Sequence, residues 1–132
     1  MAAASDADVV RRAYEAFSRG DMDALRTEAF APDVQWHQGG KSQISGDYSG
    51  VDAVLNFFQK LFQLTDGTFR ATVHDLLASD QHVVVLGTIE GQRGGRSVSN
   101  GNYCQVFHMR NGRAAEVWVT AVDPYGVDEF FG

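Results

Sequence analysis

Cys104-Gln105-Val106-Phe107-His108-Met109-Arg110-Asn111-Gly112-Arg113-Ala114-Ala115-Glu116-Val117-Trp118-Val119-Thr120 is the stretch that decides the architecture. Asn-Gly readily adopts the positive φ that a tight hairpin turn demands, and it is flanked on both sides by β-branched and aromatic residues. The stretch therefore reads as two antiparallel strands, Val98 to Met109 and Ala114 to Val122. Upstream lie two more β-rich segments, Phe69 to Ala78 and His82 to Gly91, separated by a Ser79-Asp80 turn. Arg93-Gly94-Gly95-Arg96 closes the next hairpin and reads as a solvated tip. The unbroken run Val83-Val84-Val85-Leu86 predicts burial on both faces. From Thr68 onward the chain is thus a four-stranded antiparallel meander.

The first half follows a different period. Ser5-Asp6-Ala7-Asp8 has the spacing of a helix capping box. Behind it Val9, Val10, Ala13, Tyr14 and Phe17 form one helical stripe, opposite Arg11, Arg12, Glu15 and Arg19. Gly20 stops that helix, and Asp21 caps a shorter one carrying Met22, Leu25 and Phe30. Ala31-Pro32-Asp33 breaks it before an early strand, Val34 to Gln38. A Gly- and Ser-rich loop fills Gly39 to Gly50. Ser49-Gly50-Val51-Asp52 then opens a third helix with Val54, Leu55, Phe58, Leu61 and Phe62 on its stripe, ending at Asp66-Gly67. Three helices before a meander indicate an α+β fold in one domain spanning residues 1–132.

Composition narrows the function. With 44% hydrophobic and 21% charged residues the chain resembles an ordinary globular protein. A net charge of -6 argues against a nucleic-acid backbone as partner, since phosphate binding needs concentrated Lys and Arg. The single cysteine, Cys104, excludes an internal disulfide and fits a reducing compartment, so a cytoplasmic location is expected. Apolar runs fall short of the ~20 residues that cross a bilayer. Met1 to Asp8 lacks the pattern of a signal peptide.

Several segments carry a family resemblance. Val9-Val10-Arg11-Arg12-Ala13-Tyr14-Glu15-Ala16-Phe17, Gly20-Asp21 and Phe30-Ala31-Pro32-Asp33 look like the opening of a SnoaL-like protein. Gly46-Asp47-Tyr48-Ser49-Gly50-Val51-Asp52-Ala53-Val54 resembles the entry to the third helix. Asn111-Gly112-Arg113 with Glu116-Val117-Trp118 resembles the closing hairpin. The resemblance is to the SnoaL-like branch of the superfamily that includes ketosteroid isomerase and nuclear transport factor 2. It implies a cone-shaped, curved antiparallel sheet wrapped around three N-terminal helices, with a cavity inside.

Fold alone does not assign chemistry in such a superfamily. In ketosteroid isomerase an Asp base works with a Tyr and a protonated Asp. Counted onto this chain, the resemblance puts the tyrosine at Ala13 and the base at Gln38. The second donor falls between Ser97 and Arg110, a stretch without Asp or Glu. The His and Asp of the SnoaL cyclases fall at Gln105 and Val119. Neither an amide nor an alkyl group titrates near neutral pH.

The remaining catalytic candidates are His37, near the end of the early strand, and Asp123, after the last. Asp123 also reads as a turn-former before Pro124. The expected ligand-binding set is Tyr14, Trp36, Gln38, Phe58, Phe62, Gln105, Phe107, Val117 and Val119. Strand alternation places Gln105, Phe107, Val117 and Val119 on one face, and Cys104, Val106, His108, Trp118 and Thr120 on the other. Val106 and Trp118 are large apolar groups on that second face, so a homodimer through it is expected. His74, His82 and His108 have no metal-ligand spacing, and neither a metal nor a cofactor is expected. Three readings stand. One is a pocket protein for a small apolar or aromatic molecule, acting as isomerase, cyclase or dehydratase through His37 or Asp123. The second is a non-catalytic ligand-binding or dimeric scaffold protein. The third is an interaction module whose exposed sheet face binds another protein.

Overall fold

The computed structural model describes residues 2–132, which form helices packed against one six-stranded sheet. Helix α1 (Ala2–Arg19) begins ahead of the Ser5 capping box, so Ser5 to Asp8 lie within the helix. Alanine has the highest helix propensity, and the alanines at positions 2–4 extend the helix beyond the cap signal. Val10 and Ala16 are buried, with Ala13, Tyr14 and Phe17 packed partly against the core. Gly20, at φ 70°, ends the helix.

Asp21 caps the next turn through its carboxylate, which accepts from the Ala24 amide at 3.1 Å. Helix α2 (Met22–Ala24) then widens into a π-helical turn, Leu25–Ala29. Phe30 does not belong to that helix. It opens strand β1 (Phe30–Gln38), which begins earlier than the Ala31-Pro32-Asp33 break suggests. Pro32 is tolerated because the ladder is irregular between Phe30 and Gln35 and does not require its missing amide hydrogen.

The Gly39–Gly50 loop contains a strand that composition obscures, β2 (Gly46–Ser49), antiparallel to β1. Helix α3 (Val51–Leu64) starts after Gly50, at φ 88°, with no side-chain cap. The capping-box reading fails here because both of its side chains are engaged elsewhere. Ser49 Oγ donates to Gln35 Oε1 at 2.8 Å, and Asp52 pairs with Arg26.

Strands β3 (Arg70–Ala78), β4 (His82–Arg93), β5 (Arg96–Arg110) and β6 (Arg113–Ala121) form the antiparallel meander. The sheet order is β2-β1-β6-β5-β4-β3, with β1 parallel to β6. The sheet is curved and does not close. The run in β4 is not buried on both faces. Val83 and Val85 are fully buried, while Leu86 is 41% exposed. One face of the sheet packs on the helices and the other is open in this chain.

A C-terminal helix, α4 (Pro124–Phe131), follows β6 where Asp123-Pro124 by itself suggests only a turn. Asp123 caps it, accepting from the Gly126 amide at 3.1 Å, with Pro124 in the first turn. Phe130 and Phe131 are buried. The carbonyls at its C-terminal end are held from outside. Arg93 and Arg96 donate to Phe130 O and Glu129 O at 3.3 and 3.2 Å, and Gln43 Nε2 donates to Phe131 O at 2.7 Å. The Arg93–Arg96 turn therefore grips α4 and is not simply a solvated tip. Because Phe131 is 1% exposed, Phe131→Ala is expected to lower the unfolding free energy by about 3–5 kcal/mol in urea melts. A loss below about 1 kcal/mol would mean that α4 is not part of the core.

Candidate functional site

The inner face of the sheet alternates with period two, and its ladder partners form rows across the strands. Trp36, Val117, Phe107 and Val83 make one row, and Gln38, Val119, Gln105 and Val85 the next. Helices α1, α3 and α4 stand over these rows and leave a partly open cavity of about 110 Å³ between them. Tyr14, Trp36, Gln38, Phe58, Gln105, Phe107 and Val119 all line it.

Two members of the expected set stand outside the lining. Val117 is fully buried between its row-mates Trp36 and Phe107, whose larger side chains reach farther into the interior. Phe62 packs against Phe17 and Phe69, with ring centroids at 5.0 and 6.4 Å. Phe17 lines the cavity in its stead, with Phe57, Leu61 and, from α4, Phe131.

The polar centre of the cavity is a chain of three groups. Tyr14 OH donates to Gln105 Oε1 and lies 2.7 Å from Tyr103 OH. Tyr103 was not among the sequence candidates, although it continues the alternation of Gln105 and Phe107 on β5. Tyr14 takes part although the family count places the functional tyrosine at Ala13, because its side chain also reaches the sheet from α1. Burial, and then the adjacent Tyr103, raises the Tyr14 phenol well above its ordinary value. Burial raises Tyr103 as well, with the Tyr14 contact acting in the opposite sense. Both phenols therefore keep their protons at neutral pH.

Gly87 is the ladder partner of Tyr103 on β4. A Cβ at that position would stand 2.8 Å from Tyr103 OH and 2.5 Å from Thr72 O. The phenol lies over a position with no side chain, which leaves it room to meet Tyr14. A second polar pair occupies the same wall, where Trp36 Nε1 donates to Gln38 Oε1 at 3.0 Å.

His37 and Asp123 are not in this cavity. His37 follows Trp36 and so points to the outer face. There its Nδ1 meets Asp47 Oδ1 at 2.7 Å, its Nε2 meets Glu116 Oε2 at 2.6 Å, and its ring stacks on Trp118. Asp123 is exposed and occupied as the cap of α4. His82 and His108 meet at 3.3 Å, while His74 contacts Thr88. Among the described residues no group of three metal-ligating side chains forms. Among the described lining residues the ionisable groups are the two tyrosines. At neutral pH the cavity therefore offers hydrogen bonds rather than a base.

Comparison with known proteins places these features in a family. The model of the SnoaL-like domain matches residues 10–117. An uncharacterized protein of Mycobacterium tuberculosis is 31% identical over 128 residues, 96% of each chain. Bal32a, from a soil-derived mobile gene cassette, is 36% identical with a TM-score of 0.95 over 100% of both chains. A protein of unknown function with a cystatin-like fold from Xanthomonas campestris is 27% identical, with a TM-score of 0.88 over 96% of this chain and 98% of its own.

The outer-face histidine should report its surroundings. Hydrogen bonds to Asp47 and then to Glu116 raise the His37 pKa above its ordinary 6.5. A folded-state pKa above the unfolded one adds stability that is complete below the unfolded value and is lost as pH rises through the folded value. His37→Gln is therefore expected to destabilise the protein more at pH 5.5 than at pH 8.5 in paired denaturant melts. An NMR titration midpoint for His37 at or below 6.5 would contradict this.

Proposed function

The chain belongs to the SnoaL-like family, and we propose that it binds a small, largely apolar or aromatic molecule carrying a carbonyl or hydroxyl group, without performing acid–base chemistry on it. The observation that carries this reading is an aromatic cavity whose polar groups are neutral phenols and amides. Its volume of about 110 Å³ approaches that of apolar cavities of ~150 Å³ that hold one benzene. An isomerase, cyclase or dehydratase working through His37 or Asp123 is disfavoured, because the first lies on the outer sheet face and the second caps a helix. The lone Cys104 supports a cytoplasmic setting, and no described helix is long and apolar enough to cross a membrane.

1-Tetralone, an aromatic ketone of suitable shape, provides a direct test by calorimetry. It should bind the wild-type protein, and Tyr14→Phe should weaken binding about 3–10-fold, since this hydroxyl organises Gln105 and Tyr103. Equal affinity in both proteins would remove the phenol–amide chain from ligand recognition, and no binding to either would remove the pocket reading.

The proposal includes a homodimer formed through the outer sheet face. Leu77, Val84, Val106, Trp118 and His37 are successive ladder partners, so they form one row across five strands. Leu77 is 53% and Trp118 40% exposed in the single chain. A two-fold axis through such a row covers it in both copies at once. Trp118 is the natural anchor, because buried aromatic residues dominate interface energetics. Sedimentation should show a dimer at micromolar concentration, converted to monomer by Trp118→Glu. A monomeric wild type, or an unchanged dimer in the variant, would refute the assembly.

A further inference from the structure

We infer that the ligand presents two acceptor oxygens at opposite ends of an apolar ring, one to Gln38 Nε2 and one to Gln105 Nε2, as a small aromatic diketone does. The inference rests on the pocket reading above and deepens it by specifying what the cavity selects.

It begins with the orientation of the two amides. An indole N–H only donates, so its 3.0 Å contact with Gln38 must end on the amide oxygen. Gln38 therefore turns its NH2 away from Trp36. Gln105 is fixed by a second internal donor, since Tyr14 OH gives its proton to Oε1. That proton being used, the 2.7 Å contact between the phenols is donated by Tyr103 to Tyr14. The chain Tyr103 to Tyr14 to Gln105 then has one direction, and the Gln105 amide NH2 lies at its end. Neither Gln38 Nε2 nor Gln105 Nε2 has a hydrogen-bond partner among the described residues.

No fully enclosed side-chain nitrogen or oxygen lacks a partner among the described residues, so these NH2 groups meet open space rather than packed protein. Both residues line the cavity, and Gln105 is 5% exposed overall. The cavity thus contains two outstanding donors with their oxygens already engaged. A ligand that covers these donors without offering an acceptor leaves them unpaired in apolar surroundings, which is costly, so each one selects for an acceptor.

The spacing comes from the ladder. Gln38 and Gln105 are both partners of Val119, which puts them two strands apart in one row. Strand spacing makes that separation about 10 Å between backbones. Val119 lies between them as an apolar floor, with Phe107 on the same sheet and Phe58 lining the cavity from α3. A single aromatic ring with carbonyl groups in para positions bridges such a gap, one hydrogen bond at each end. A hydroxyl in either place would leave its own hydrogen facing apolar carbon.

A matched series tests this by calorimetry: 1,4-diethylbenzene, 4-ethylacetophenone and 1,4-diacetylbenzene, which share one skeleton and carry no, one and two carbonyl oxygens. Affinity should rise at each step, by at least about tenfold across the series. Gln38→Leu should abolish the gain from the second carbonyl, and Gln105→Leu should do likewise. In ¹H–¹⁵N spectra of the wild-type protein, the diketone should shift the side-chain NH2 signals of both glutamines. Equal binding of the two ketones, or unmoved glutamine signals on binding, would overturn the two-oxygen inference while leaving the pocket reading intact. Binding of none would overturn both. The wild-type series and the NH2 signals decide the matter even if a leucine variant fails to fold.

Discussion

Strand β1 lies parallel to β6, with Trp36 opposite Val117 and Gln38 opposite Val119. The candidate site depends on this pairing more than on any other contact. The meander β3 to β6 is assembled from neighbouring hairpins and needs only local turns. Strand β1, by contrast, meets β6 across most of the chain, and a parallel neighbour requires a long connection. Here the connection contains α3 and four strands of the sheet. The same crossing that completes the sheet lays α3 against its inner face, so the ladder register and the cavity roof are set together. A slip of one residue in β1 would exchange Trp36 with His37, moving an indole out of the core and an imidazole into it.

The helices are held over the sheet mainly through aromatic packing. Phe58 meets Phe17 edge-on with centroids 5.1 Å apart, and meets Trp36 in the same way at 5.1 Å. Such pairs contribute about 0.5–1.5 kcal/mol each beyond their buried area. They also explain how a core can be stable and still enclose space. Rigid rings meeting edge to face cannot collapse into the gap between them as flexible aliphatic chains do. Helix α4 completes the enclosure with Phe131, held by Gln43 and by the β4–β5 turn.

The two faces of the sheet assign opposite roles to adjacent residues. Trp36 looks inward and donates to Gln38, while His37 looks outward to Asp47, Glu116 and Trp118. Inside, the phenols keep their protons because burial disfavours the phenolate. Outside, His37 holds its proton more tightly because two carboxylates accept from it. The described cavity lining thus works with neutral hydrogen-bonding groups, while the His37 ion pairs stand on the outer face.

Much of this was legible in the sequence, and for a local reason. Helical stripes, the Asn111-Gly112 turn and period-two alternation are short-range properties; they sufficed for the α+β class and, once the family resemblance told which face looks inward, for most of the inner wall, including Gln38, Gln105, Phe107 and Val119. What the sequence could not supply depended on partners distant along the chain. Ser49 and Asp52 spell a cap but bond to Gln35 and Arg26 instead. Residues 46–49 carry no strand signal and become β2 because β1 offers an edge. Asp123-Pro124 looks like a turn and starts a helix, because Phe130 and Phe131 find a core to enter. Tyr14 and Tyr103 are 89 residues apart, and only folding brings their hydroxyls within 2.7 Å. Sequence period determines which way a side chain points along its own element, but which groups meet there is decided when distant elements pack, since hydrogen bonds and burial depend on distance in space.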